Sequence, residues 1–124
     1  MPVSSSSVSR IKHAQKESLF LRHISTLFTQ TALDDDRLKD LFINRVSLSP
    51  DKGICTVYFY TAQGQAHFEQ VLDILKLYKP SLRKALAHAI KARYTPDLIF
   101  RFDEQYEKQQ KIEKLLDTLK EDGH

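Results

Sequence analysis

Residues 41–61 read LFINRVSLSPDKGICTVYFYT, and this stretch decides the fold class. Residues 41–48 have the pattern of a strand. Ser49-Pro50-Asp51-Lys52-Gly53 then forms a turn, because proline presets its own φ and glycine accepts a positive one. Residues 54–61 form a second strand, rich in β-branched and aromatic side chains. The pair predicts a β-hairpin. Strand alternation puts Cys55, Val57 and Phe59 on one face and Thr56, Tyr58 and Tyr60 on the other. The first set is the more apolar, so it is expected to meet the core, with Cys55 as a small buried hydrophobe.

Helical periodicity lies on both sides of the hairpin. Upstream, Ile11, Ala14, Leu21, Ile24, Leu27 and Phe28 recur at helical spacing over residues 10–31, with Ser9 as N-cap. Asp34-Asp35-Asp36 ends that pattern, and a cap or turn is the expected use of these carboxylates. Downstream, a loop around Gly64 leads into a helix over residues 66–78, with Phe68, Val71, Leu72 and Leu75 inward. Pro80 interrupts it, since proline is poorly tolerated inside a helix. The reading is a kinked helix pair, bent at Tyr78-Lys79-Pro80. Its second member spans residues 81–93 and turns Leu82, Ala85, Leu86, Ala89 and Ile90 inward. Thr95-Pro96-Asp97 is a turn. Residues 98–102 are a third strand, with Leu98, Phe100 and Phe102 buried. Asp103 caps a last helix whose stripe is Ile112, Leu115, Leu116 and Leu119. Helices covering one face of a small three-stranded sheet make an α+β architecture.

Composition fits one such domain. The chain has 124 residues, 41% of them hydrophobic and 28% charged, with seven Phe and five Tyr to fill a single core. The expected division is a flexible N-terminal tail over residues 1–9, a domain over 10–103, and a C-terminal amphipathic helix and tail over 104–124. One cysteine rules out an intramolecular disulfide and a Cys-rich zinc site, and it fits a reducing cytoplasm. No run of about 18 apolar residues is present, so no membrane association is expected. The serine-rich start lacks the apolar segment of a secretory signal.

The formal net charge is only +3, but it is unevenly spread. Lys76, Lys79, Arg83, Lys84, Lys91 and Arg93 fall in residues 76–95, which contain no Asp or Glu. Lys84, His88 and Lys91 share one side of a helix, opposite the apolar stripe. Residues 103–124 are net acidic, with seven acidic side chains against four basic. A segregated basic stripe is the electrostatic footprint of a nucleic-acid binder. These six residues are the expected phosphate contacts, and Lys12, Lys16 and Arg22 on the first helix form a secondary patch. Tyr58, Tyr60, Arg45 and Arg101 are expected to share the open sheet face, as half-buried strand residues or as a surface for unpaired bases. The five histidines have no metal-ligand spacing, and no Gly-rich phosphate loop or nucleophile motif occurs. No metal, cofactor, small-molecule substrate or catalytic residue is therefore expected.

Three blocks resemble the bacterial ribosome-binding factor A family. They are Asp36-Arg37-Leu38; Arg45-Val46-Ser47-Leu48-Ser49-Pro50-Asp51 followed by Val57-Tyr58-Phe59; and Arg93-Tyr94-Thr95-Pro96-Asp97-Leu98-Ile99-Phe100-Arg101-Phe102-Asp103. The last resembles the family's Arg-x-x-Pro-Glu-Leu-x-Phe-x-x-Asp. The resemblance covers about residues 10–119 in order. It implies a type II KH-like fold in which an Ala-x-Gly kink replaces the usual Gly-x-x-Gly loop. Here Pro80 stands where the family has that glycine, and Asp36 stands where it usually has proline. The resemblance further implies a monomeric, non-enzymatic cytoplasmic partner of the precursor small ribosomal subunit and its ribosomal RNA, helping that RNA to mature late in assembly. Two alternatives stay open: a KH-like protein acting on another RNA, and a protein–protein adaptor that docks through its last helix.

Overall fold

The computed structural model describes residues 5–91 and 93–122. Helix α1 (Ser5–Asp34) leads through a short 3-10 turn (Asp36–Leu38) into strands β1 (Phe42–Leu48) and β2 (Ile54–Tyr60). Helix α2 (Gln65–Ile90), strand β3 (Asp97–Phe102) and helix α3 (Glu104–Asp122) follow. The sheet order is β1-β2-β3, with β1 and β2 antiparallel and β2 and β3 parallel. The architecture is α+β, as the sequence predicts. Among the described residues, no helix is long and apolar enough to cross a membrane.

Helices α1 and α2 cover one face of the sheet. Phe20, Ile24 and Phe28 from α1 meet Val57 and Phe59 from β2, Leu98, Phe100 and Phe102 from β3, and Phe68, Leu75, Leu82 and Leu86 from α2. Phe59 is the centre. Its ring lies 5.0 Å from Phe28 and 5.4 Å from Phe100, both edge-on, and 5.9 Å from Phe68 in a stacked arrangement. Cys55 is buried beside them, and burial first, then the Glu17 carboxylate, pushes its thiol up to about 12. A thiol so protonated is inert.

Three boundaries differ from the sequence expectation. First, α1 begins at Ser5 rather than Arg10, so Ser9 lies within the helix instead of capping it. No glycine or proline between Ser5 and Asp34 prevents the added turns. Residues 1–4, the rest of the predicted tail, lie outside the described residues. Second, the early part of α1 does not enter the core. Ile11 and Ala14 are exposed, and the helix is held there by polar contacts to β1. His13 Nε2 lies 3.1 Å from the Leu48 carbonyl, and the Leu48 N–H donates to Glu17 at 2.8 Å. The two side chains thereby cover a stretch of β1's otherwise open edge.

Third, α2 runs through Pro80 as a single helix. The sequence predicts a pair of helices, and the tertiary contacts override that break: Leu75 before the proline and Leu82 and Leu86 after it are all buried in one core. Proline still lacks the N–H that would reach the Lys76 carbonyl. The Ser81 hydroxyl donates to the Tyr78 carbonyl at 3.0 Å, satisfying one nearby acceptor. Because Pro80 is exposed and interior to the helix, Pro80→Ala should stabilise the fold by about 1–2 kcal/mol, part of the ~3 kcal/mol interior penalty. Thermal unfolding would show this as a Tm rise of roughly 4–8 °C. An unchanged Tm would mean that the helix already accommodates the proline without the interior penalty.

The hairpin turn also differs in detail. The positive φ falls on Lys52, at 61°, not on Gly53. At Gly53 the constraint is space: a Cβ there would sit 3.3 Å from Asp51 Oδ1, so the carboxylate would have to give by a few tenths of an ångström. That oxygen accepts from the Ser49 hydroxyl at 2.6 Å and from the Gly53 N–H at 2.9 Å. The Gly53 carbonyl then accepts from the Asp97 N–H at 3.0 Å, which sets the start of β3 against the hairpin.

Candidate nucleic-acid interface

Two buried carboxylates position the elements that carry the exposed charge. Asp35 caps the 3-10 turn through the Arg37 N–H at 3.0 Å, binds the Arg37 guanidinium at 2.9 and 2.7 Å, and accepts from the Tyr78 hydroxyl at 2.6 Å. Chiefly the Arg37 hydrogen bonds, then that of Tyr78, hold its carboxyl well below the usual carboxylate range, and the Tyr78 phenol is pushed up in return. This ties the loop after α1 to the turn of α2 just before Pro80. The expectation of a cap or turn at residues 34–36 is met by Asp35. Among the described residues, no group of three or more metal-ligating side chains comes together.

Asp103 is the second, 1% exposed at the junction of β3 and α3. It accepts from Asn44 Nδ2 at 2.9 Å, Arg45 Nε at 2.9 Å, Arg45 Nη2 at 3.3 Å and the Tyr106 N–H at 3.1 Å. Burial, the largest single influence, pushes its carboxyl up, but the Arg45, Asn44 and Tyr106 hydrogen bonds together outweigh it and lower the pKa. The predicted helix cap is present. The ion pair to Arg45 is a contact the sequence did not reveal, since 58 residues separate the partners.

The open face of the sheet carries the row Arg45, Tyr58 and Arg101, in register across β1, β2 and β3. One face of Tyr58 is already covered, with the Arg45 guanidinium carbon 3.7 Å from its centroid. Tyr60 packs against Phe42, Phe102 and Tyr106. These tyrosines serve the fold, in line with the half-buried reading. Tyr106 roots α3 in the same cluster, 4.7 Å from Tyr60. From Lys111 to Lys120 every residue of α3 is exposed, including the stripe of Ile112, Leu115, Leu116 and Leu119.

The six predicted contact residues on α2 and its following loop divide into three kinds. Lys76, Lys84, Lys91 and Arg93 are exposed. Lys79 is half-buried, its ammonium 5.5 Å from the Phe100 ring centroid. Arg83 is committed to the loop: Nη2 donates to the Thr95 carbonyl at 2.9 Å and Nε to the Pro96 carbonyl at 3.2 Å, with Asp97 3.6 Å away. Arg83 thus pins the α2–β3 loop to the helix. Lys91 adopts a left-handed conformation, φ 53°, and its N–H closes the helix on the Ala87 carbonyl. Pro80, Arg83, Lys84, Ala87, Arg93, Tyr94 and Thr95 line one shallow depression. Lys12, Lys16 and Arg22 are exposed on α1, and Arg22 lines a separate depression with Ile11 and Leu19. The structure therefore brings Lys84 and Arg93 together and leaves the α1 patch apart. It adds Tyr94, whose signal in the sequence is an aromatic placed beside a cation in a turn.

Residues 12–116 match the family described as Ribosome-binding factor A. The chain belongs to the ribosome-binding factor A family. It is 36% identical over 101 residues to the ribosome-binding factor A of Rhodopseudomonas palustris strain BisB18, covering 79% of this chain and 73% of that one. It is 32% identical over 108 residues to that of Prochlorococcus marinus strain AS9601, covering 86% and 83%. The fold resembles the crystal structure of ribosome-binding factor A from Thermus thermophilus, with a TM-score of 0.61, 30% identity, and coverage of 71% of this chain and 92% of that one. It also resembles a homology model of the Thermus thermophilus factor fitted into the cryo-EM map of a 30S complex, with a TM-score of 0.51, 30% identity, and coverage of 71% and 87%. The family resemblance carried by the three sequence blocks is thereby confirmed.

Proposed function

We propose that this chain binds the precursor of the small ribosomal subunit through its ribosomal RNA, late in assembly, and helps that RNA to mature. The exposed cations Lys76, Lys84, Lys91 and Arg93, drawn from a stretch of sequence with no acidic side chain, carry the reading, on a fold shared with a relative fitted into a 30S complex. Cations placed on one rigid helix and a pinned loop neutralise phosphates without large ordering losses, so they grip the backbone irrespective of sequence. The domain then acts as a monomeric clamp in the cytoplasm, with no chemistry of its own, holding an RNA junction in one geometry until maturation is complete. The exposed stripe on α3 favours a second reading, an adaptor that docks a protein there.

Sucrose-gradient sedimentation of tagged protein from gently lysed cells separates these. The expected result is enrichment with free small subunits, above all those with unprocessed RNA, and release as salt rises. Absence from small subunits at low salt would overturn the assembly reading. Complexes that survive complete RNase digestion would favour the adaptor.

A further inference from the structure

We infer that the loop between α2 and β3 carries a stacking site for one unpaired RNA base, with the Tyr94 ring as its platform and Lys84 and Arg93 holding the adjoining phosphates. This rests on the RNA-binding reading above and names the nucleotide state that the surface selects.

The tyrosines separate by use. The chain has five. Tyr58 is covered by Arg45, and Tyr60 and Tyr106 pack against each other and Phe42. Tyr78 donates to Asp35. Among the described residues, Tyr94 is the exposed tyrosine: it is 83% exposed, and the Arg93 guanidinium lies 6.0 Å from its ring centroid. A phenol ring left this open in water contributes nothing to the core.

The backbone that follows the ring is nevertheless anchored. Lys91 closes α2 on one side of it, and Pro96 is buried on the other. Between them, Arg83 holds the carbonyls of Thr95 and Pro96. A platform whose loop is already pinned loses little entropy when a base settles on it. Lys84, Arg93 and Tyr94 line the same depression, so an aromatic ring and two cations share one spot on the surface. Stacking on a tyrosine is tolerant of base identity but requires the base to be out of a helix. A surface of lysines alone would grip duplex and single strand alike, whereas this one favours unpaired RNA.

The test is fluorescence anisotropy of the full chain with a single-stranded oligoribonucleotide of about ten nucleotides and with the duplex of the same sequence. Wild type is expected to prefer the single strand. Tyr94→Ala should weaken single-strand binding roughly 5- to 100-fold while leaving duplex binding and the salt slope unchanged, and Tyr94→Phe should bind like wild type. Single-strand binding by Tyr94→Ala within about twofold of wild type, or an equal loss in Tyr94→Phe, would overturn the stacking site alone. Failure of wild type to bind either RNA would overturn the RNA-binding reading and the stacking site with it.

Discussion

Replacing Asp103 with alanine should destabilise the protein by about 3–4 kcal/mol. Breaking a buried ion pair from one side costs roughly 3–5 kcal/mol when the other charge is stranded, and Arg45, 42% exposed, recovers some hydration. Loss of the α3 N-cap adds about 1 kcal/mol. The Asn44 amide also loses its acceptor. Urea unfolding at neutral pH measures the loss, and a value under about 1 kcal/mol would show that the Asp103 network is dispensable. The pH dependence has a definite sign. The Asp103 pKa is lowered in the folded state, so its contribution is complete above the ordinary carboxylate pKa of about 3.9 and is lost as pH falls below that value. The stability gap between wild type and Asp103→Asn should therefore be constant from neutrality down to roughly pH 5 and shrink below about pH 4.

The second large effect concerns binding. Lys84→Glu/Lys91→Glu should weaken association with small-subunit RNA about 100-fold, on the order of tenfold for each reversed charge. Both side chains are exposed, so the folded state should be nearly unaffected. The plot of log affinity against log salt should also become shallower by roughly one to two units, because fewer counterions are displaced. Arg83→Gln makes an informative contrast. Its guanidinium binds loop carbonyls, so its loss should loosen the Tyr94 loop rather than subtract a phosphate contact. Equal binding by the double variant and wild type at low salt would place the RNA contacts elsewhere on the surface.

Much of the fold was legible in the sequence because short-range patterns encode it. The hairpin at residues 41–61 follows from strand alternation around a Pro-Asp-Lys-Gly turn, and the buried faces of β2, β3 and the second half of α1 follow from periods of 2 and 3.6. The cationic stretch was equally legible, since the absence of acidic residues between Lys76 and Thr95 is a property of composition. The division of that stretch was not. Arg83 and Lys84 are adjacent and chemically alike, yet one is consumed by carbonyls twelve and thirteen residues away and the other is exposed. Pro80 misled for a related reason: a local penalty of about 3 kcal/mol breaks an isolated helix, but not one buried on both sides of the proline in a common core.

By itself, the sequence determined the element order, the α+β class, the apolar faces, the cap at Asp103 and the family blocks, all of which rest on neighbours within a few residues. Only the tertiary structure decided which polar groups meet. Asp103 finds Arg45 across 58 residues, Tyr78 finds Asp35 across 43, and Glu17 and His13 seal the edge of β1 at Leu48. The same holds for Tyr94, which is set apart from the other tyrosines only by what the folded chain leaves uncovered. Periodicity is a property of local backbone geometry, whereas a hydrogen bond or an exposed ring depends on how distant segments pack, and no spacing rule encodes that.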